Sequence, residues 1–126
     1  MNSLQSGAPA RAAAVKQLKA RGAKARRGHL RFAVGDLFWY VDPRLSGGSL
    51  VIEVGCWTPV LPPEPDGGAV DCPLLVDYPV ADPVVDTDRL VDLLSAIGDL
   101  ATLGDRLAEL PGALVDKSLR ELTEGG

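Results

Sequence analysis

Histidine and sulfur are scarce in this chain. Among 126 residues there is one histidine, His29, one methionine, and two cysteines, Cys56 and Cys72. A zinc site built from Cys and His would need more ligands than that. Two cysteines also make no disulfide framework, and whether Cys56 and Cys72 pair is open at this stage. A Cys-His nucleophile would have to bring His29 to one of them through the fold, together with an orienting group.

Long apolar runs are missing as well. No stretch approaches the roughly 20 residues of a membrane helix. The first residues lack the charged start, apolar middle and small-residue cleavage site of a secretory signal. The expectation is a cytoplasmic chain with no membrane partner. Phosphate-binding loops are absent by spacing: Gly47-Gly48 has neither the dinucleotide fingerprint nor a Gly-Lys-Ser/Thr end. Asp86, Asp88 and Asp92 lack the glycine and terminal glutamate of a calcium loop, and helix capping accounts for the first two. No cofactor, no metal and no catalytic residue is expected, and the chain reads as a non-enzyme.

Acidic residues are missing from one end only. Residues 1–31 hold eight basic residues and no acid, whereas the remainder holds five basic and all 17 acidic ones. A basic head on an acidic body steers a charged partner or pairs internally. Lys16, Lys19, Lys24, Arg26 and Arg27 are the candidate phosphate contacts if the partner is nucleic acid. Against that stand the absence of interleaved aromatics and a net charge of −4.

What is present describes one globular domain. Hydrophobic residues make up 46% and charged residues 24%, enough to pack a core and too ordinary for wholesale disorder. The length suits a single domain over 1–126, with residues 1–9 as a flexible lead. Ala10 to Arg21 predicts a helix, with Pro9 at or before its first turn and Gly22 as its left-handed cap. His29 to Val41 predicts a hairpin: Leu30, Phe32 and Val34 alternate with polar or small residues, and Gly35-Asp36 is a two-residue turn. That turn sets Val34 opposite Leu37, Phe32 opposite Trp39, and Leu30 opposite Val41. Asp42-Pro43 should end the strand, and Ser46-Gly47-Gly48-Ser49 should be a flexible connection.

Leu50 to Trp57 predicts a third strand and Pro73 to Val80 a fourth. Between them lies a proline-rich loop over 58–71; seven of the ten prolines fall between Pro59 and Pro83. Loops this long are usually functional or mobile. A helix starts at Asp86-Thr87-Asp88 and should break near Gly98 or Gly104. Leu114, Val115, Leu119 and Leu122 predict a short last helix. The fold class is therefore α+β: an N-terminal helix, a four-stranded antiparallel β-meander, and C-terminal helices packed on the sheet.

The order of weak features resembles a known family. Arg21-Gly22-Ala23-Lys24-Ala25-Arg26-Arg27-Gly28 runs into the Gly35-Asp36 turn. Val51-Ile52-Glu53-Val54-Gly55-Cys56-Trp57-Thr58-Pro59 and Asp71-Cys72-Pro73 follow. The pattern is similar to the bacterial domain-of-unknown-function family 4304. Ala23 departs from it, standing where such proteins tend to have an aromatic, and the polar segment after the second strand is shortened. The resemblance implies a compact α+β domain without an established activity. Some small domains of this size accompany bacterial toxins as immunity proteins, an analogy of size and fold.

The hairpin register puts Arg31, Phe38, Tyr40, Glu53, Trp57 and Asp77 on the face away from the core. Aromatics with an arginine on a flat surface make interface anchors. These six are the candidate interface for a protein partner. The competing arrangements are helices covering this face, or Phe38, Trp39 and Tyr40 buried on both sides.

Overall fold

The computed structural model describes residues 3–124, and side-chain environments from Gly7. Among the described residues, four α-helices and one six-stranded antiparallel sheet make a mixed α+β fold. The elements run α1 (Ser3–Ala20), β1 (Lys24–Arg26), β2 (His29–Val34), β3 (Leu37–Ser46), β4 (Ser49–Trp57), β5 (Leu74–Val80), α2 (Val85–Ser95), α3 (Leu100–Arg106), β6 (Leu114–Val115) and α4 (Lys117–Glu124). The strands lie side by side in chain order, so the sheet is a simple meander.

The central hairpin follows the expected register. Val34 pairs with Leu37, Phe32 with Trp39 and Arg31 with Tyr40. Gly35 takes a φ of 55°, the positive value this turn requires. Six strands replace the expected four because β1 and β6 are only three and two residues long. Lys24 and Arg26 carry no apolar alternation to betray β1. Leu114-Val115, expected in a last helix, pairs instead with Leu74-Leu75.

β3 does not stop at Asp42-Pro43 but runs on to Ser46. In the alternating ladder, Leu37, Trp39, Val41 and Pro43 turn their backbone groups toward β2. β2 begins at His29, so nothing there asks Pro43 for the N–H it lacks. Its carbonyl accepts from Arg11 Nε at 3.0 Å. The expected flexible link is a tight turn at Gly47-Gly48 closing Ser46 onto Ser49.

All the apolar helix faces meet one side of the sheet. Trp39, Val41, Ile52, Val54, Cys56 and Leu74 form the floor. Ala14 and Leu18 of α1, Leu90 and Leu94 of α2, Leu103 of α3 and Leu119 of α4 cover it. α1 begins at Ser3, not Ala10, and Pro9 lies inside it. Buried Gly7 sits against Leu45 of β3, giving the early turns a tertiary partner. α2 ends before Gly98, as the glycine suggested. The carbonyls freed at that break are used by the sheet: Trp39 Nε1 donates to Ile97 O at 3.1 Å, and Asp36 N to Gly98 O at 2.7 Å.

Helix capping differs in detail from the expectation. Asp82 accepts from the amides of Val84 and Val85, while Asp86 reaches back to those of Ala81 and Asp82. Asp88 caps nothing. It binds Gln17 of α1 at 2.7 Å and Arg21, just past the end of α1, at 3.0 Å, which hold its carboxyl below the usual range. Among the described residues no helix is long and apolar enough to cross a membrane.

The opposite side of the sheet carries a second, smaller cluster: Tyr40, Trp57, Ala69 and Cys72, with Phe38 and Leu75 against it. Gly55 makes room for it. A Cβ at Gly55 would lie 2.7 Å from Ala69 Cα and 2.8 Å from Cys72 Sγ. Gly55→Ala should therefore push the covering segment off the sheet and cost about 2 kcal/mol. Urea denaturation checks this; unchanged stability would show that the segment is not pressed on the sheet.

Candidate functional site

The covering segment is the proline-rich stretch 58–73, which leaves the end of β4 and crosses back over the outer face as a strap. Each of its anchors has a sequence reason. Trp57 stands at the strand end, and its Nε1 donates to Leu61 O at 2.8 Å. Glu64 lies over Tyr40 and accepts from its hydroxyl at 2.5 Å. Arg26 donates to Tyr40 Oη at 3.0 Å and to Pro65 O at 2.7 Å. Asp66 pairs with Arg27 at 2.9 Å and with Arg26 at 3.4 Å. The peptide between Pro62 and Pro63 is cis.

The far end of the strap is a 3-10 turn, Gly68–Asp71. Asp42 Oδ2 accepts from Ala69 N at 3.2 Å and faces His29 Nδ1 at 3.0 Å, so one β3 carboxylate holds both the turn and the imidazole. Gly68 rests against that ring, with no space for a side chain.

The six candidate interface residues separate into two groups. Arg31, Phe38, Tyr40 and Trp57 come together: the Phe38 and Trp57 ring centroids are 5.5 Å apart, and the Arg31 guanidinium lies 4.6 Å from the Phe38 centroid. They are not an open surface. Tyr40 is fully buried and Trp57 only 7% exposed, because the strap lies on them. The alternation could show that these residues share a face, but not that their own chain returns to cover it. Glu53 and Asp77 stand elsewhere on that face, paired with Arg44 at 3.1 and 3.4 Å.

The basic head is largely neutralised from within. Arg21 pairs with Asp88 and Asp92, Arg26 and Arg27 with Asp66, and Arg31 with Glu64. Of the five candidate phosphate contacts, Arg26 and Arg27 are thus engaged. Lys16, Lys19 and Lys24 are exposed and have no ion pair among the described residues. Sequence reasoning did not select Asp42, Glu64 and Asp66. The signal was there as two acids among the loop prolines, but nothing along the chain tied them to Arg26-Arg27 or Arg31.

The thiols are chemically quiet. Cys56 lies under the helices and Cys72 is a strap residue turned onto the opposite face of the sheet; both are free. Burial pushes the Cys56 thiol up strongly; burial and then the Asp42 carboxylate push Cys72 up to about 12. Neither is a thiolate near neutral pH. Among the described residues no three His, Cys, Asp or Glu side chains are grouped to hold a metal ion.

No known protein family, curated protein or solved structure matches this chain. The resemblance to the family of unknown function therefore rests on the sequence features that suggested it.

Tyr40 reports on the strap directly. Burial, and then the bond to Glu64, raise its phenol to about 12 from an ordinary 10.0. A group whose folded pKa is raised contributes stability below its unfolded pKa, and loses it as pH climbs through the folded one. Tyr40 should therefore stabilise the fold below pH 10 and cease to do so by about 12. Ultraviolet titration of a Tyr78→Phe variant isolates this phenol. Glu64→Gln should shift its titration downward; an unchanged midpoint would mean that Glu64 does not contact it.

Proposed function

We propose that the chain is a non-enzymatic protein-binding domain, immunity-like in that it acts by occupying its partner's surface. The observation that carries this reading is the strap, a surface ridge held in one conformation before any partner arrives. Ala69 and Cys72 face inward with its anchors and Leu61 packs against the core, while Val60 and Val70 face out. Val60 is 60% exposed and Val70 53%. Beside Val60, a cleft of about 520 Å³ is lined by Phe38, Thr58, Pro59, Val60, Leu100 and the Gly35-Asp36 turn. A fixed apolar ridge next to an apolar cleft avoids the ordering cost that a mobile loop would impose on binding. Asp36 supplies a polar rim.

This reading moves the contact surface from the sheet face to the strap and its edge. Tyr40 and Trp57 become the floor that shapes the ridge. The location proposed is the cytoplasm, where Cys56 and Cys72 remain reduced. The resemblance to the bacterial family is compatible with a small partner-occupying domain. Nucleic-acid binding through the basic head is the lesser proposal, because Arg21, Arg26, Arg27 and Arg31 already have acidic partners.

A nuclease-treated pull-down with the tagged chain tests the proposal. One stoichiometric protein should be retained, its recovery falling about tenfold or more with Val60→Asp, a loss of about 1.4 kcal/mol. Lys16→Glu combined with Lys19→Glu should leave it unchanged. Retention that depends on those lysines and vanishes with nuclease would replace this reading with the nucleic-acid one.

A further inference from the structure

β2 outruns its outer neighbour. β1 pairs only with His29, Leu30 and Arg31, and the chain before it turns away into α1, where Ala23 N bonds to Leu18 O. Among the described residues, Phe32 to Val34 therefore have no strand on that side. The Arg27-Gly28 turn closes the β1–β2 hairpin on Arg26 and His29. The antiparallel alternation then directs the backbone groups of His29, Arg31 and Ala33 outward, and those of Leu30, Phe32 and Val34 toward β3. Ala33 is exposed, and among the described residues its outward N–H and C=O have no backbone partner.

This gap is a concave notch of about 420 Å³ lined by Gly22, Lys24, Ala25, Arg31, Phe32 and Ala33. Its charge is unbalanced. Lys24 stands directly opposite Arg31, so two cations share one face of the ladder. Such a like-charge pair normally destabilises a sheet. Glu64 relieves it only in part: its carboxylate is 3.2 Å from Arg31 Nε, off the line a hydrogen bond needs, and Nε has no hydrogen-bond partner. The Phe38 ring holds the guanidinium in place. Nε is buried, so what the partly exposed Arg31 side chain offers the notch is its two terminal nitrogens.

An occupant has to meet three demands at once: a backbone donor, a backbone acceptor and two cations. A free oxyanion answers the cations but faces the Ala33 carbonyl. A neutral strand answers the backbone but leaves Lys24 unpaired and Arg31 with Glu64 alone. An extended segment with a carboxylate side chain answers all three. We propose that the β2 edge is a docking site for an acidic, extended segment of a partner protein, added as a strand beside Ala33 in line with β1. The residue opposite Ala33 falls two places along from Lys24, on the same face and diagonal to Arg31. A long acidic side chain reaches both from there. This deepens the protein-binding reading by naming the partner's chemistry, and it uses a surface separate from the Val60 ridge.

The test is an amide NMR titration of the full chain. The probes are acetyl-Val-Glu-Val-Glu-Val-amide, its glutamine counterpart, and inorganic phosphate. The glutamate peptide should move the Ala33 amide downfield, with the glutamine peptide binding about tenfold more weakly. Lys24→Glu should produce a similar loss. Ala33→Pro removes the edge N–H and should abolish the shifts at Arg31 and Val34, while the Trp39 and Leu18 resonances report an intact fold. An unmoved Ala33 amide, equal binding of the two peptides, or phosphate reproducing the same shifts would overturn the proposal. The pull-down with Val60→Asp reads the ridge alone, so failure of the notch and failure of the general binding reading are distinguishable.

Discussion

Glu64 is a carboxylate, 15% exposed, held between Arg31 at 3.2 Å, Arg26 at 3.5 Å and the Tyr40 hydroxyl. Taking a charge this far out of water is costly unless it is paired and hydrogen-bonded. Two arginines and a phenol satisfy it, and each comes from a different place: the β1 hairpin, β2 and β3. The strap therefore closes only if these three strands are already in register, and once closed it ties them together. Removing any one partner leaves buried charge behind, the mutation class that costs far more than a surface ion pair.

The same contact explains the charge asymmetry of the chain. A basic head on an acidic body suggests an electrostatic partner outside the molecule. Much of the partner is inside. Arg21 joins α1 to α2 through Asp88 and Asp92, and Arg26, Arg27 and Arg31 join the first strands to the strap. What remains uncompensated is local. Lys24, opposite Arg31 at the end of a strand that stops short, is one such place, and there the unpaired charge coincides with unpaired backbone.

How much could be read along the chain follows from the range of each interaction. The β2–β3 hairpin was legible because a two-residue turn and a period-two pattern constrain the same register independently. The apolar face of β4 and β5 was legible for the same reason, as was the helix break at Gly98. β1 and β6 were not, since two or three residues cannot display a period. Pro43 misled because its meaning depends on whether a neighbouring strand reaches it, which local sequence does not say. The closed outer face was legible only as the alternative in which Phe38, Trp39 and Tyr40 are buried on both sides; what covers it was not. Phe38, Tyr40 and Trp57 had the composition of an interface, and they do form one, but with residues 58–73 of their own chain. Gly55 was the clue, a glycine in mid-strand where a second backbone approaches.

The central claim is that the strap is ordered in the free protein. Backbone amide relaxation of Val60 and residues 66–70 measures it directly. Order parameters of about 0.85, as in rigid backbone, are expected for the free chain. Values below about 0.6 would mean a loop that closes only with a partner, and would remove the preformed ridge on which the functional reading stands.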